Sequence, residues 1–167
     1  MTLSAMLLSG HSMAIKYETF SIKKLIEDCI KCAQLACPGY VEYTVTIKAG
    51  IAAQIFSDQL CLSRNLVNLL SNAAKQTTAH RIPHTIRVVV SLRNFDRSVS
   101  STDYDRGEML EFAVVDTGTG IPEDMLETIF NAFFSATGST GLGLYVVKRQ
   151  CEAMGGVTLQ RSAKPQI

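Results

Sequence analysis

The sequence predicts an α+β fold, a two-layer sandwich of helices over a mixed, mainly antiparallel sheet. Three observations lead there. Apolar residues at helical spacing alternate along the chain with stretches in which every second residue is apolar. Two of the strand-like stretches, 85–93 and 108–115, are joined by the polar segment 94–107 and read as an antiparallel pair, which a doubly wound parallel sheet would not supply. The chain has 167 residues, 47% of them hydrophobic and 19% charged, enough for one core and too few for a second full domain.

Each element has its own signature. Residues 1–19 carry apolar side chains without strand alternation and are expected to be a linker or the end of a removed dimerisation helix. From Ser21, a suitable N-cap, Ile22, Leu25, Ile26, Cys29, Ile30 and Ala33 recur at helical spacing until Pro38 and Gly39 stop them. Val41, Tyr43, Val45 and Ile47 then alternate with Glu42, Thr44, Thr46 and Lys48, the pattern of a strand with one wet face. A short strand is expected at 54–56 and a helix over 58–77. Further on, 123–130 reads as a short helix and 142–154 as a longer one ended by Gly155 and Gly156. Residues 157–161 read as a last strand and 163–167 as a tail, so the domain proper is 20–162.

Composition excludes several classes. The net charge of +1 offers no footprint for nucleic acid, and no apolar run is long enough to cross a bilayer. Without the positive start of a signal peptide at the N-terminus, the chain is expected to be cytoplasmic, with no membrane contact by this domain. The five cysteines are an odd number and read as reduced, mostly buried thiols. Cys29 and Cys32 form a CxxC, but no second CxxC or nearby His completes a zinc set.

Three segments carry chemistry. On the 58–77 helix, Asn65, Asn68, Asn72 and Lys75 share one face, an arc of about 80° at 100° per residue. Leu62, Leu66, Leu69, Leu70 and Ala73 fill much of the opposite side. A solvated face is the plain alternative, but surfaces favour Lys and Glu over Asn, a poor helix former. A carboxamide oxygen such as that of Asn72 can ligate Mg²⁺, and Lys75, one turn away, can meet phosphate charge.

The second segment is Asp116-Thr-Gly118-Thr-Gly120-Ile121-Pro122. A carboxylate at a strand end is followed by glycines that allow close backbone approach to a flat ligand. Asp116 would accept a hydrogen bond from the exocyclic amine of adenine, where guanine presents a carbonyl. The same stretch resembles the catalytic turn of aspartic proteases, in which two carboxylates share a proton. In the third segment, Gly138-Ser-Thr140-Gly141-Leu142-Gly143-Leu144, a glycine-rich turn feeds a helix N-terminus whose free N–H groups can hold phosphate. No Gly-Lys-Ser/Thr closes it as a Walker A loop would.

The order of the segments decides between these readings. Asn68-Leu-Leu-Ser-Asn72-Ala-Ala-Lys75, Asp116-Thr-Gly-Thr-Gly120-Ile-Pro, Ile129-Phe130-Asn-Ala-Phe133-Phe134 and Gly138-Ser-Thr-Gly-Leu-Gly-Leu144 resemble the N, G1, F and G2 boxes of histidine-kinase ATP-binding domains. These belong to the wider family of gyrase, heat-shock chaperone, kinase and MutL ATPases. The resemblance covers about residues 20–162, whereas the protease likeness explains only 116–119. It implies the histidine-kinase-like ATPase fold and Mg²⁺-ATP as ligand. Asn72 would hold the metal, Asn68 and Lys75 the metal-phosphate region as catalytic groups, and Asp116 would read adenine. Gly118, Gly120, Ile121, Thr140, Gly141, Leu142, Gly143 and Leu144 would shape the pocket. Phe130, Phe133 and Phe134 would anchor a short ATP lid over 131–140.

By the same resemblance, ATP-hydrolysing branches carry a water-activating Glu where Asn68 stands, and Asn cannot take that proton. Positioning and charge neutralisation suffice for transfer to an imidazole, so the kinase branch is favoured. The γ-phosphoryl group would pass to a histidine on a separate phosphoacceptor domain, in cis or in trans, and on to a response regulator. His11 lacks the acidic residue and Thr/Asn-Pro that follow the family's acceptor, and His80 and His84, flanking Pro83, read as incidental solvent-facing residues. A hydrolase of the same family, or a degenerate ATP-binding sensor or scaffold, are the alternatives.

Overall fold

The computed structural model describes residues 15–37, 39–78, 84–96, 106–133 and 141–159. In chain order the elements are β1 (Glu18–Ser21), α1 (Ile22–Ala36), β2 (Glu42–Ile47), β3 (Gln54–Ser57), α2 (Gln59–Thr78), β4 (Thr85–Asp96), β5 (Arg106–Asp116) and α3 (Gly143–Ala153). Parallel β2–β4 and antiparallel β4–β5 pairs form a three-stranded sheet, and β1 pairs antiparallel with β3. The fold is the expected α+β arrangement, with a mixed and mainly antiparallel set of strand pairs.

α1 and α2 each start where a side chain meets their free N–H groups. Ser21 accepts from the Lys24 amide at 3.4 Å to cap α1. At the start of α2, Asp58 accepts from the Cys61 amide at 2.9 Å, and its other oxygen accepts from the Lys16 amide at 2.8 Å. One carboxylate thus caps a helix and ties down the segment leading into β1. Burial of Asp58 would raise its carboxyl, but the N–H groups of Cys61, Lys16 and Leu60 outweigh this and hold it below the ordinary value.

The core lies where α1 and α2 pack together over the sheet. Ile22, Leu25, Ile26, Cys29 and Ala33 of α1 meet Leu66, Leu70, Ala73 and Ala74 of α2 and Ile86, Val88 and Val90 of β4. Period two puts the three β4 side chains on the helix side while Arg87 stays exposed. Full burial of each such aliphatic side chain contributes about 1.5–3 kcal/mol.

Several expectations need correction. The hairpin strands run on to Asp96 and start at Arg106, so residues 94–96 and 106–107 of the expected loop belong instead to a ladder of eleven register pairs. The pairing of the two backbones carries polar residues into the strands, which side-chain pattern alone does not reveal. The helix expected over 123–130 is a 3₁₀ turn, Glu123–Met125, followed by further turns, because only Ile129 there has a buried side chain to anchor a longer helix. Val157, Thr158 and Leu159 lie outside any strand, and the rest of the expected last strand falls outside the described residues. Glu18 and Thr19 open a strand too short to show a period-two signal. His84 is half-buried rather than solvent-facing, with Nδ1 2.8 Å from the Thr77 carbonyl oxygen at the end of α2. His11 and His80 are outside the described residues.

All five cysteines are free: Cys29 and Cys61 are buried, Cys37 and Cys151 half-buried, and Cys32 exposed. Burial pushes the Cys29 thiol up to about 11, against the opposing effect of the Ser63 side chain.

Candidate functional site

The site is built on the side of α2 that faces away from the core. Asn68 and Asn72 are half-buried there and Lys75 is exposed. The first turn of α3 lies against this face. A methyl group built on Gly143 would sit 3.8 Å from Asn68 Oδ1 and 3.9 Å from Asn72 Nδ2. Two segments that the sequence holds far apart therefore meet at one spot. Leu142, at the N-cap position of α3, gives no side-chain cap. The first N–H groups of that helix thus open beside two carboxamides, at the positive end of its dipole.

The Asp116 turn closes the other end of the face. Asp116 ends β5, and its Oδ1 accepts from the Gly118 amide at 2.9 Å, so the carboxylate folds its own turn. Gly118 is seated on the last turns of α2. A Cβ there would come within 2.9 Å of the Gln76 backbone carbon and oxygen and 2.8 Å of Asp116 Oδ1. Thr119 Oγ1 donates to Gln76 Oε1 at 3.4 Å. Thr117 ties the turn to the start of β4 through mutual bonds with Thr85, each of 3.2 Å. Gly120 and Gly141 have φ of 74° and 63°, the left-handed region that glycine occupies without strain.

From Asn68 to Gln76 the face runs about 12 Å along the helix at 1.5 Å per residue. Ile121 is exposed at its Asp116 end, and Leu142 and Leu144 are half-buried at its α3 end. Thr140 lies outside the described residues. Of the expected lid aromatics, Phe130 is half-buried, Phe133 is 64% exposed with φ of 65°, and Phe134 is outside the described residues.

Asn65 does not share the open face. It is buried, and its Nδ2 lies 3.7 Å from Cys151 Sγ of α3. α3 crosses over that part of α2, a tertiary contact that a helical wheel cannot show. Gln76, conversely, was not among the expected site residues. It follows Asn72 by four residues and so falls on the same face, a signal the spacing held.

The carboxamide oxygens of Asn68 and Asn72 are of the kind a hard cation prefers. Among the described residues no three His, Cys, Asp or Glu gather as a metal cluster, so protein oxygens for a hard cation would come from carboxamides such as Asn72.

Comparison with known proteins agrees with this architecture. Residues 57–166 match the family described as Histidine kinase-, DNA gyrase B-, and HSP90-like ATPase. The chain belongs to that family, as a domain of the histidine-kinase type. It is 31% identical over 163 residues to Hybrid signal transduction histidine kinase A of Dictyostelium discoideum, covering 91% of this chain and 7% of that protein. It is 38% identical over 112 residues to Aerobic respiration control sensor protein ArcB of Escherichia coli K12, covering 62% of this chain and 12% of that one. The chain thus spans a small part of these curated relatives. Among solved structures, a mycobacterial sensor histidine kinase, MprB, superposes with a TM-score of 0.62 at 24% identity, covering 84% of this chain and 81% of that one. Full-length ShkA in complex with AMPPNP gives 0.70 at 24% identity, covering 92% and 30%. At that identity the likeness speaks for the fold. Among the described residues no helix is long and apolar enough to cross a membrane.

Proposed function

We propose that the chain binds Mg²⁺-ATP along the open face of α2 and passes the γ-phosphoryl group to a histidine on a separate phosphoacceptor domain. A response regulator would follow in a two-component relay. The observation that carries the reading is the convergence of both glycine turns on one helix face, Gly143 beside Asn68 and Asn72 and Gly118 on Gln76. AMPPNP, bound by the ShkA neighbour, is a nucleotide of this class.

Adenine lies at the Asp116 end, where one carboxylate oxygen is engaged by the Gly118 amide and the other accepts from the exocyclic amine. Ile121 covers the base, Gly118 seats the turn on α2, and Gly120 lets the backbone approach the base. The phosphates extend toward α3, where N–H groups of its first turn, with Gly141, Leu142 and Leu144 around them and Thr140 before them, receive negative charge. Asn72 contributes a metal ligand, and Asn68 and Lys75 orient and neutralise the phosphates. Bound magnesium supplies charge neutralisation on the phosphate oxygens. Asn68 cannot deprotonate water, which favours transfer over hydrolysis. The domain works in the cytoplasm in this reading.

Titration with Mg²⁺-ATP and Mg²⁺-GTP, with and without the metal, tests the first half. Adenine-selective, metal-dependent binding is expected. Incubation with γ-labelled ATP and an added phosphoacceptor domain tests the second half, and ATP binding without labelled histidine would refute transfer.

A further inference from the structure

The interface between α2 and α3 contains polar groups that the nucleotide reading does not use. Asn65, at 4% exposure, and Gln150, at 3%, are buried, and neither Asn65 Oδ1 nor Gln150 Oε1 meets a donor among the described residues. Val147 and Gln150 are the buried residues of α3, and α2 is the element that helix packs on. The Asn65 amide nitrogen reaches Cys151 Sγ at 3.7 Å, and buried Cys61 lies one turn before Asn65 on α2. Burial raises both thiols, so both stay neutral at ordinary pH.

An apolar contact of the same shape would hold the helices together at lower cost, because a buried carbonyl oxygen without a donor is unfavourable. Apolar packing is also non-directional and tolerates sliding of one helix along another. A buried carboxamide is satisfied in few registers, which is how a single Asn fixes alignment in coiled coils. The alignment at stake is specific here. α3 runs opposite to α2, with Cys151 at Asn65 and Gly143 at Asn68 and Asn72.

We infer that Asn65 is a positioning residue whose bond to Cys151, beside Gln150, latches α3 onto α2 and so sets the α3 N-terminus against Asn68 and Asn72. The inference rests on the nucleotide reading for its functional consequence, but the latch can be measured without it.

The test uses Asn65→Leu and Cys151→Ala, singly and together, in the full chain. Hydrogen exchange is followed at amides 146–148 in the first turns of α3, alongside thermal unfolding and Mg²⁺-ATP affinity. In Asn65→Leu the unfolding transition should hold or rise, while protection at those amides drops roughly tenfold and ATP affinity roughly fivefold. Cys151→Ala should act in the same direction, and the double variant should be no worse than Asn65→Leu, since both break one contact. Unchanged protection in both single variants, or fully additive losses, would overturn the latch. Should Asn65→Leu fail to fold, Cys151→Ala alone decides by the same exchange measurement. If the parent chain binds no nucleotide, the functional reading fails, and exchange at 146–148 still judges the latch.

Discussion

Gly118 and Gly143 both bring a turn up to α2, but for opposite reasons. At Gly118 a Cβ would lie 2.9 Å or less from backbone and carboxylate atoms, whereas at Gly143 the nearest atoms are 3.8 Å and 3.9 Å away, ordinary contact. Gly118 is therefore glycine because the protein itself fills the space. Gly143 has room for a methyl as far as the fold is concerned, and the space it leaves borders two carboxamides and a helix N-terminus. Close approach of protein to protein accounts for the first glycine, and in the proposed reading access for the nucleotide accounts for the second.

Four substitutions can break or sharpen that contrast. The largest effect is expected from Asp116→Ala, which removes the carboxylate on the ligand side of the Gly118 turn. ATP affinity should fall roughly 30–100-fold, the worth of a charge-assisted hydrogen bond, with the circular dichroism spectrum retained. Unchanged affinity would take Asp116 out of the site. Next comes Gly118→Ala, expected to lower unfolding free energy by about 2 kcal/mol in a denaturant titration, since the Gln76 backbone cannot yield as a side-chain tip would. A stable Gly118→Ala protein would remove the steric half of the contrast.

Gly143→Ala should separate fold from function. Stability is expected to hold or rise by about 0.5 kcal/mol, because alanine loses less backbone freedom on entering a helix. Calorimetry should meanwhile show nucleotide affinity reduced roughly tenfold, about 1.4 kcal/mol. The smallest effect is assigned to Asp58→Ala, far from both glycines, where loss of the α2 cap costs about 1 kcal/mol at neutral pH. Because the folded Asp58 carboxyl is held below its ordinary value, the parent has that stability above the unfolded value of about 3.9 and loses it as pH falls through the folded one. The gap between parent and variant should therefore narrow below about pH 4, as equilibrium unfolding at several pH values will show.

The difference between strong and weak local signals explains what could be read in advance. The 20-residue helix α2 showed its greasy back and Asn-bearing front because twenty residues give the 3.6 period many turns in which to repeat. Ser21 and the α3 boundaries were also legible, since caps and glycine stops are local chemistry. The four-residue β1 and the 3₁₀ turn Glu123–Met125 were not, being too short for any period to accumulate. Asn65 misled for a different reason: its position on the helix wheel was right, but α3 covers it.

By itself the sequence determined the α+β class, the positions of the long helices and hairpin strands, and the segments that carry Asn68, Asn72, Asp116 and the glycines. These follow from periodicity, turn chemistry and residue type, which act over a few neighbours along the chain. Tertiary structure alone decided that Gly118 sits on Gln76, that Gly143 faces Asn68 and Asn72, and that Asn65 turns from the open face into the α2–α3 contact. Those facts depend on which surfaces close-pack across long stretches of chain, and packing is settled by the shape of all the elements together rather than by any local pattern.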